Sequence, residues 1–147
     1  MTITLDAIAY KIAKRGIMKP AFCANVTLER GVENDVFGRP SKRQVTVMSK
    51  QQWLMACQQI NVDLDWLTRR ANLLISGYEF SATDVGKIIE IGTELQLQIT
   101  GETDPCNKME LAHPGLEQAL MPDWRGGVTC RVIRTGLIQL DDSVKID

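Results

Sequence analysis

A single histidine, His113, stands among the 147 residues. Triads and zinc mechanisms that need two or more imidazoles are therefore closed to this chain. The four cysteines, Cys23, Cys57, Cys106 and Cys130, are widely spaced and form no CxxC pair. That spacing argues against a zinc ribbon and, without an export signal, against a disulfide framework. An excess of one charge is also missing: 17 Lys and Arg stand against 18 Asp and Glu, and the basic residues are scattered. Neither the stripe of a nucleic-acid binder nor a polybasic membrane patch is present. The opening MTITLDAIAYKIAKRG carries an early Asp6 and no long apolar run. It reads as neither a secretory signal nor a membrane span, so the expected location is the cytoplasm. Internal repeats, low-complexity tracts and linkers are lacking as well.

What is there is an ordinary globular composition, 44% hydrophobic and 24% charged. The length suits one domain over residues 1–147, burying roughly 70% of the surface the unfolded chain exposes. Strands are expected at residues 3–12, 22–31 and 43–48, where β-branched and aliphatic residues run between breakers such as Gly16, Pro20, Gly31 and Pro40. Ser49 and Gln52 have capping-box spacing, and Trp53, Leu54, Cys57 and Ile60 recur at helical intervals, which predicts a helix over 50–60. A short second helix is expected at 63–70, and buried strands at 72–77 and 87–92. ELQLQIT (94–100) alternates strictly, with Leu95, Leu97 and Ile99 on one face, as a half-buried antiparallel strand does. Residues 127–136 and 137–146 read as two more strands, with a tight reversal at Thr135–Gly136. About seven short strands and two or three short helices predict a mainly β fold, a barrel or strongly bent antiparallel sheet with helices at its edges. Cys23, Cys57 and Cys130 fall on strand or helix faces that read as core, as do Trp53 and Trp66.

The stretch TGETDPCNKMELAHPG (100–115) raises the chemical question. Asp104 suits an N-cap and Pro105 the first helical position, which would make Cys106 the second helical residue. Its sulfur would then lie near unpaired amides, favouring the thiolate. Pro114 ends that helix, and Gly115 to Leu120 give another short turn before Pro122. The residues alone leave two readings open, an activated thiol and a cysteine packed as a small apolar group. His113, before a proline, reads as a turn residue, and Gly126–Gly127 as a bulge or strand-entry turn.

A resemblance weighs on that choice. The span from Thr100 to Ile146 resembles the C-terminal half of the MOSC domain family, named from the molybdenum cofactor sulfurase C-terminal domain. The matching features are Pro105–Cys106, the turn Gly126–Gly127, CRV (130–132) and GLIQLDDSV. Upstream, LERGVENDVFGRPSKRQVTVM resembles the family's GVxGD turn and following strand, and RRANLLISG resembles its RENLxxxG. Asn34 stands where the family often has glycine before the aspartate, here Asp35, no histidine follows it, and Asp141 replaces a glycine of the terminal hairpin. The resemblance implies a MOSC-type barrel handling sulfur or the molybdenum cofactor, a pterin carrying molybdenum, through Cys106. That residue would carry sulfur as a persulfide or ligate the metal as a thiolate. Reduction of N-hydroxylated compounds with an electron-donor partner, or sulfur transfer from a donor protein, is the implied activity. No pyridoxal-phosphate domain is present to generate the sulfur. Arg70, Asn72, Asp104, Arg125 and Arg131 are the implied cofactor-binding residues, beside Arg43 and Arg69, because a phosphate-bearing pterin needs guanidinium donors. Arg70, Asn72, Arg125 and Arg131 are expected to converge with Cys106 on one cleft. The alternative of a different class is a non-catalytic β-barrel module binding a small molecule or anion, with Cys106 structural.

Overall fold

The computed structural model describes residues 2–147. The first half comprises β1 (Ile3–Tyr10), β2 (Lys19–Ala21), β3 (Cys23–Thr27), β4 (Gly31–Val32), β5 (Val45–Ser49), α1 (Lys50–Gln59) and β6 (Leu73–Ser76). After these come β7 (Ile88–Ile91), β8 (Leu95–Glu102), α2 (Asn107–Ala112), α3 (Leu116–Leu120), β9 (Val128–Arg134), β10 (Gly136–Gln139) and β11 (Ser143–Ile146). One-turn helices at Trp66–Arg69, Ala82–Asp84 and Pro122–Trp124 fill the connections.

Hydrogen bonding runs β11-β7-β8-β9-β5-β6-β1, and β11 pairs back onto β1, closing the sheet into a barrel. Closure leaves those strands without free edges. The β5–β6 pair is parallel, with α1 in its crossover, and the other pairs are antiparallel. β2 extends the sheet beyond β1, and β10, β3 and β4 form a separate small sheet.

The expected barrel is therefore present, with more and shorter strands than the sequence suggested. Residues 137–146 are two strands, because the chain turns at Asp141, whose φ is 72°. The reversal at Thr135–Gly136 does not make a hairpin: β10 leaves β9 and pairs with β3.

Along β8, Leu95, Leu97 and Ile99 are buried while Gln96, Gln98 and Thr100 are half-buried. The predicted face is the inward one, and β8 pairs antiparallel with β9 as expected. These side chains join Leu5, Val47, Leu73 and Ile89 in the main core. A second core lies under the helices, where Met48 and Leu74 meet Trp53, Ala56, Met109 and Leu116. Fully burying one such aliphatic side chain contributes about 1.5–3 kcal/mol. Cys57 and Cys130 are buried as expected, but Cys23 is exposed. Its alternation partners Ala24 and Val26 take the inward face of β3, which leaves Cys23 outside.

Ser49 caps α1 by accepting from the N–H of Gln52 at 3.3 Å. The reciprocal half of the capping box is not made. The Gln52 amide instead donates to the carbonyls of Phe80 (2.9 Å) and Asp123 (2.8 Å) and accepts from the Phe80 N–H (3.0 Å). A residue chosen for a helix start thus ties the helix to two connections. Among the described residues, no helix is long and apolar enough to cross a membrane.

Candidate functional site: a cationic cleft beside Cys106

Where β8 ends, the backbone is held from two sides. The Thr103 N–H donates to the Gly127 carbonyl at 2.9 Å. One guanidinium nitrogen of Arg69 donates to the carbonyls of Thr103 (3.2 Å) and Gly126 (2.9 Å). This close approach requires the paired glycines. A Cβ on Gly126 would lie 2.3 Å from the Thr103 oxygen, and one on Gly127, whose φ is +93°, would lie 2.6 Å from the Val47 oxygen. Gly126–Gly127 is the strand-entry turn into β9.

That clamp changes how the cysteine segment starts. Asp104 was expected to cap a helix beginning at Pro105, but the cap position belongs to Cys106, with φ −122° and ψ 176°, and the helix begins at Asn107. Thr103 is pinned in extended chain and Cys106 is itself still extended, so the turn into the helix comes two residues late. The Cys106 carbonyl accepts from the Met109 N–H at 2.9 Å, and the residue is exposed. The thiol is presented at the threshold of the helix rather than inside its first turn.

Beside it opens a cleft of about 490 Å³. Of the expected residues, Cys106, Asp104, Arg70 and Asn72 line it, together with Arg43 and Arg69. Arg125 and Arg131 do not, which corrects the expected convergence. Arg131 alternates with buried Cys130 and Val132 on β9, so it points outward and meets Gln98 at 2.6 and 2.9 Å. Arg125 is taken up by Gln59 (2.6 Å) and the Ala119 carbonyl (3.0 Å), bracing α1 against α3.

Asn72 shapes the cleft rather than offering it a free amide. Its side-chain oxygen accepts from the Thr46 N–H (3.1 Å) and hydroxyl (3.2 Å), and its nitrogen donates to the Ala9 carbonyl (3.2 Å). One side chain therefore ties β1, β5 and the start of β6 together. Sequence reasoning passed over Lys11, Lys108 and Phe37, which also line the cleft. No local motif marks them, because they come from the β1–β2 connection, α2 and the loop before β5. Asp35, half of the family-like turn, accepts from the Lys11 N–H at 2.9 Å and so brings that lysine to the cleft.

The cleft carries five cationic side chains, Lys11, Arg43, Arg69, Arg70 and Lys108, against the carboxylates of Asp35 and Asp104. Among the described residues none of the five is within 4.0 Å of a carboxylate; the ion pairs lie elsewhere, at Lys50–Asp6, Lys87–Asp84 and Lys145–Asp147. Arg69 is only 7% exposed. Burial lowers its guanidinium pKa, the negative charge available at Cys106 and Asp104 opposes that, and Arg43 adds to it. Burial likewise lowers the Lys11 amine, helped by Arg70 and Lys108, with Asp35 acting against them. Cations crowded together and partly desolvated destabilise one another unless an anion joins them. Two buried polar atoms of the lining also lack a partner, Nε of Arg69 and the hydroxyl of Thr103. Among the described residues no three His, Cys, Asp or Glu side chains are grouped to hold a metal ion.

A closed β-barrel with a cationic, cysteine-edged cleft at one end is the class of structure these features define. The chain belongs to the MOSC domain family, whose model matches residues 34–145. Among solved structures, the YuaD protein from Bacillus subtilis superposes with a TM-score of 0.82 at 18% identity, over 99% of this chain and 96% of that one. YiiM from Geobacillus stearothermophilus gives 0.76 at 17% identity, covering 99% and 75%. YiiM from Escherichia coli gives 0.70 at 16%, covering 98% and 69%. Likeness at these identities establishes the fold. No curated protein matches the sequence.

Proposed function

We propose that the cleft binds the phosphate-bearing pterin of the molybdenum cofactor and that Cys106 is the protein thiol that meets its reactive end. The observation that carries this reading is the lining beside Cys106, where Lys11, Arg43, Arg69, Arg70 and Lys108 gather with none within 4.0 Å of a carboxylate among the described residues. Family membership supports this choice of cofactor, and the residues present fit it. Arg69, Arg70, Lys11 and Lys108 would hold the phosphate, since guanidinium forks and ammonium groups favour that oxyanion. Cys106 would add one soft ligand to a metal already held by its own sulfur ligands. When bound, such a cofactor supplies two-electron oxygen-atom chemistry, which suits reduction of N-hydroxylated compounds with an electron-donor protein.

A second role for the same thiol has its own support. Cys106 is exposed and is the one cysteine lining the cleft, so a persulfide formed there has no neighbouring thiol to reduce it. Sulfur carriage is thus the companion reading. Protein from a molybdenum-replete host, intact and as Cys106→Ser, separates the roles by metal analysis and intact mass. Ligation predicts molybdenum and pterin in the wild type and loss of metal from the variant. Carriage predicts one reducible extra sulfur on Cys106. Equal ligand content in both proteins, with no added sulfur, would leave a non-catalytic anion module with a structural cysteine.

A further inference from the structure

Next to the cleft lies a second hollow of about 420 Å³, lined by Lys14, Arg15, Gly16, Arg70, Lys108 and Leu111. Arg70 and Lys108 line both hollows, so the two adjoin and make up one cationic track along the surface. The second hollow contributes four cations and no carboxylate. Its loop is built rather than slack: the Gly16 N–H donates to the Ala13 carbonyl at 2.9 Å, and the Lys11 ammonium donates to the Lys14 carbonyl at 3.1 Å. Arg70 is held in the left-handed region at φ 67°, its N–H bonded to the Leu67 carbonyl at 3.3 Å. Leu111, 81% exposed, adds an apolar wall. Lys14 and Arg15 lie before the span that the family model matches, so nothing in that match accounts for them.

We infer that this track takes a diphosphate: one phosphoryl group in the cleft at Arg69 and Arg70, the next at Lys14 and Arg15, as in a cofactor or substrate extended by a nucleotide. The inference rests on the anion cleft proposed above. Four cations on one short surface without a carboxylate repel one another and attract a multiply charged anion more than a singly charged one. Lys108 and Arg70, shared by the two hollows, would lie between the two phosphoryl groups. Leu111 is then the surface against which the attached group lies.

The test is calorimetry at fixed ionic strength with orthophosphate, pyrophosphate, adenosine diphosphate and a Glu-rich peptide as probes. Wild type is compared with a Lys14→Ala, Arg15→Ala double variant and with Arg69→Lys. Pyrophosphate and the nucleoside diphosphate should bind about tenfold or more tighter than orthophosphate, an advantage of at least 1.4 kcal/mol. The double variant should lose that advantage while keeping its orthophosphate affinity, and Arg69→Lys should weaken all phosphates together. A diphosphate advantage that is absent, or that survives the double variant, overturns the inference and leaves the cleft reading intact. Preferential binding of the Glu-rich peptide, abolished by the double variant, overturns it in favour of a protein-docking face. If no phosphate binds the wild type, this inference and the cofactor reading fall together.

Discussion

At the scale of single residues, position rather than type separates the four cysteines. Cys106 and Cys23 are exposed, Cys57 and Cys130 buried. Burial raises the thiol pKa of Cys57 and, more strongly, of Cys130, so both stay protonated and shielded at neutral pH. Alkylation at pH 7 followed by mass spectrometry should therefore label Cys106 and Cys23 within the first minutes. The two buried thiols should react only when the chain unfolds. Labelling of Cys106 at the rate of Cys57 would show that the cleft edge is closed to reagents, and the cofactor reading would go with it. Two further positions show what residue type alone can and cannot tell. Asn34 and Asp141 stand where the family resemblance often places glycine, and both adopt the left-handed region, with φ of 68° and 72°. Asn and Asp are the side chains that tolerate it best, so each departure preserves the turn it seemed to break.

At the scale of elements, the corner before β7 depends on one carboxylate. Asp84 is 1% exposed. It accepts from the Tyr78 hydroxyl (2.6 Å), the Lys87 ammonium (2.9 Å) and the Ser81 N–H (2.9 Å). Burial alone would raise its pKa; the bonds from Tyr78, Lys87 and Ser81 outweigh it and leave the carboxyl below its usual range. A folded-state pKa below the unfolded one means the contribution is whole above about pH 4 and is lost as pH falls through the folded value. Asp84→Asn should cost about 2–3 kcal/mol at neutral pH, the scale of broken charged hydrogen bonds. In urea titrations the gap to wild type should shrink below about pH 4. A gap independent of pH would mean that packing, not charge, holds the corner. The strands that period-2 alternation marks, and the helix that Ser49 caps, were legible because their signals are local. The start of α2 was not, because the clamp that delays it joins Arg69 to Thr103 and Gly126, far apart in sequence. Arg131 was misassigned although the alternation of β9 already turned it away from the inward Cys130 and Val132.

At the scale of the whole molecule, the cleft is where the barrel is least self-sufficient. Lys11 comes from the connection after β1, Arg69 and Arg70 from the connection into β6, and Cys106 and Lys108 from the crossing between β8 and β9. No stretch of sequence contains this group; barrel closure assembles it, which is why the motif match could point to Cys106 and Arg70 but not to Lys11. The assembled cations repel one another, so on the proposed reading the folded state would bind anions that the unfolded chain, with those charges dispersed, binds weakly. Binding of that kind stabilises by mass action, by about 2.7 kcal/mol at a hundredfold excess over Kd. Thermal unfolding of the wild type should therefore shift upward with added phosphate at constant ionic strength, and chloride should not reproduce the shift. Arg69→Met should behave in two distinguishable ways. Without phosphate it should be less stable by about 1–3 kcal/mol, because the Thr103 and Gly126 carbonyls lose their donor. With phosphate its melting temperature should stay where it was. If that variant keeps the full phosphate shift, Arg69 is a structural clamp only, and the anion sits on the remaining lysines and arginines of the cleft.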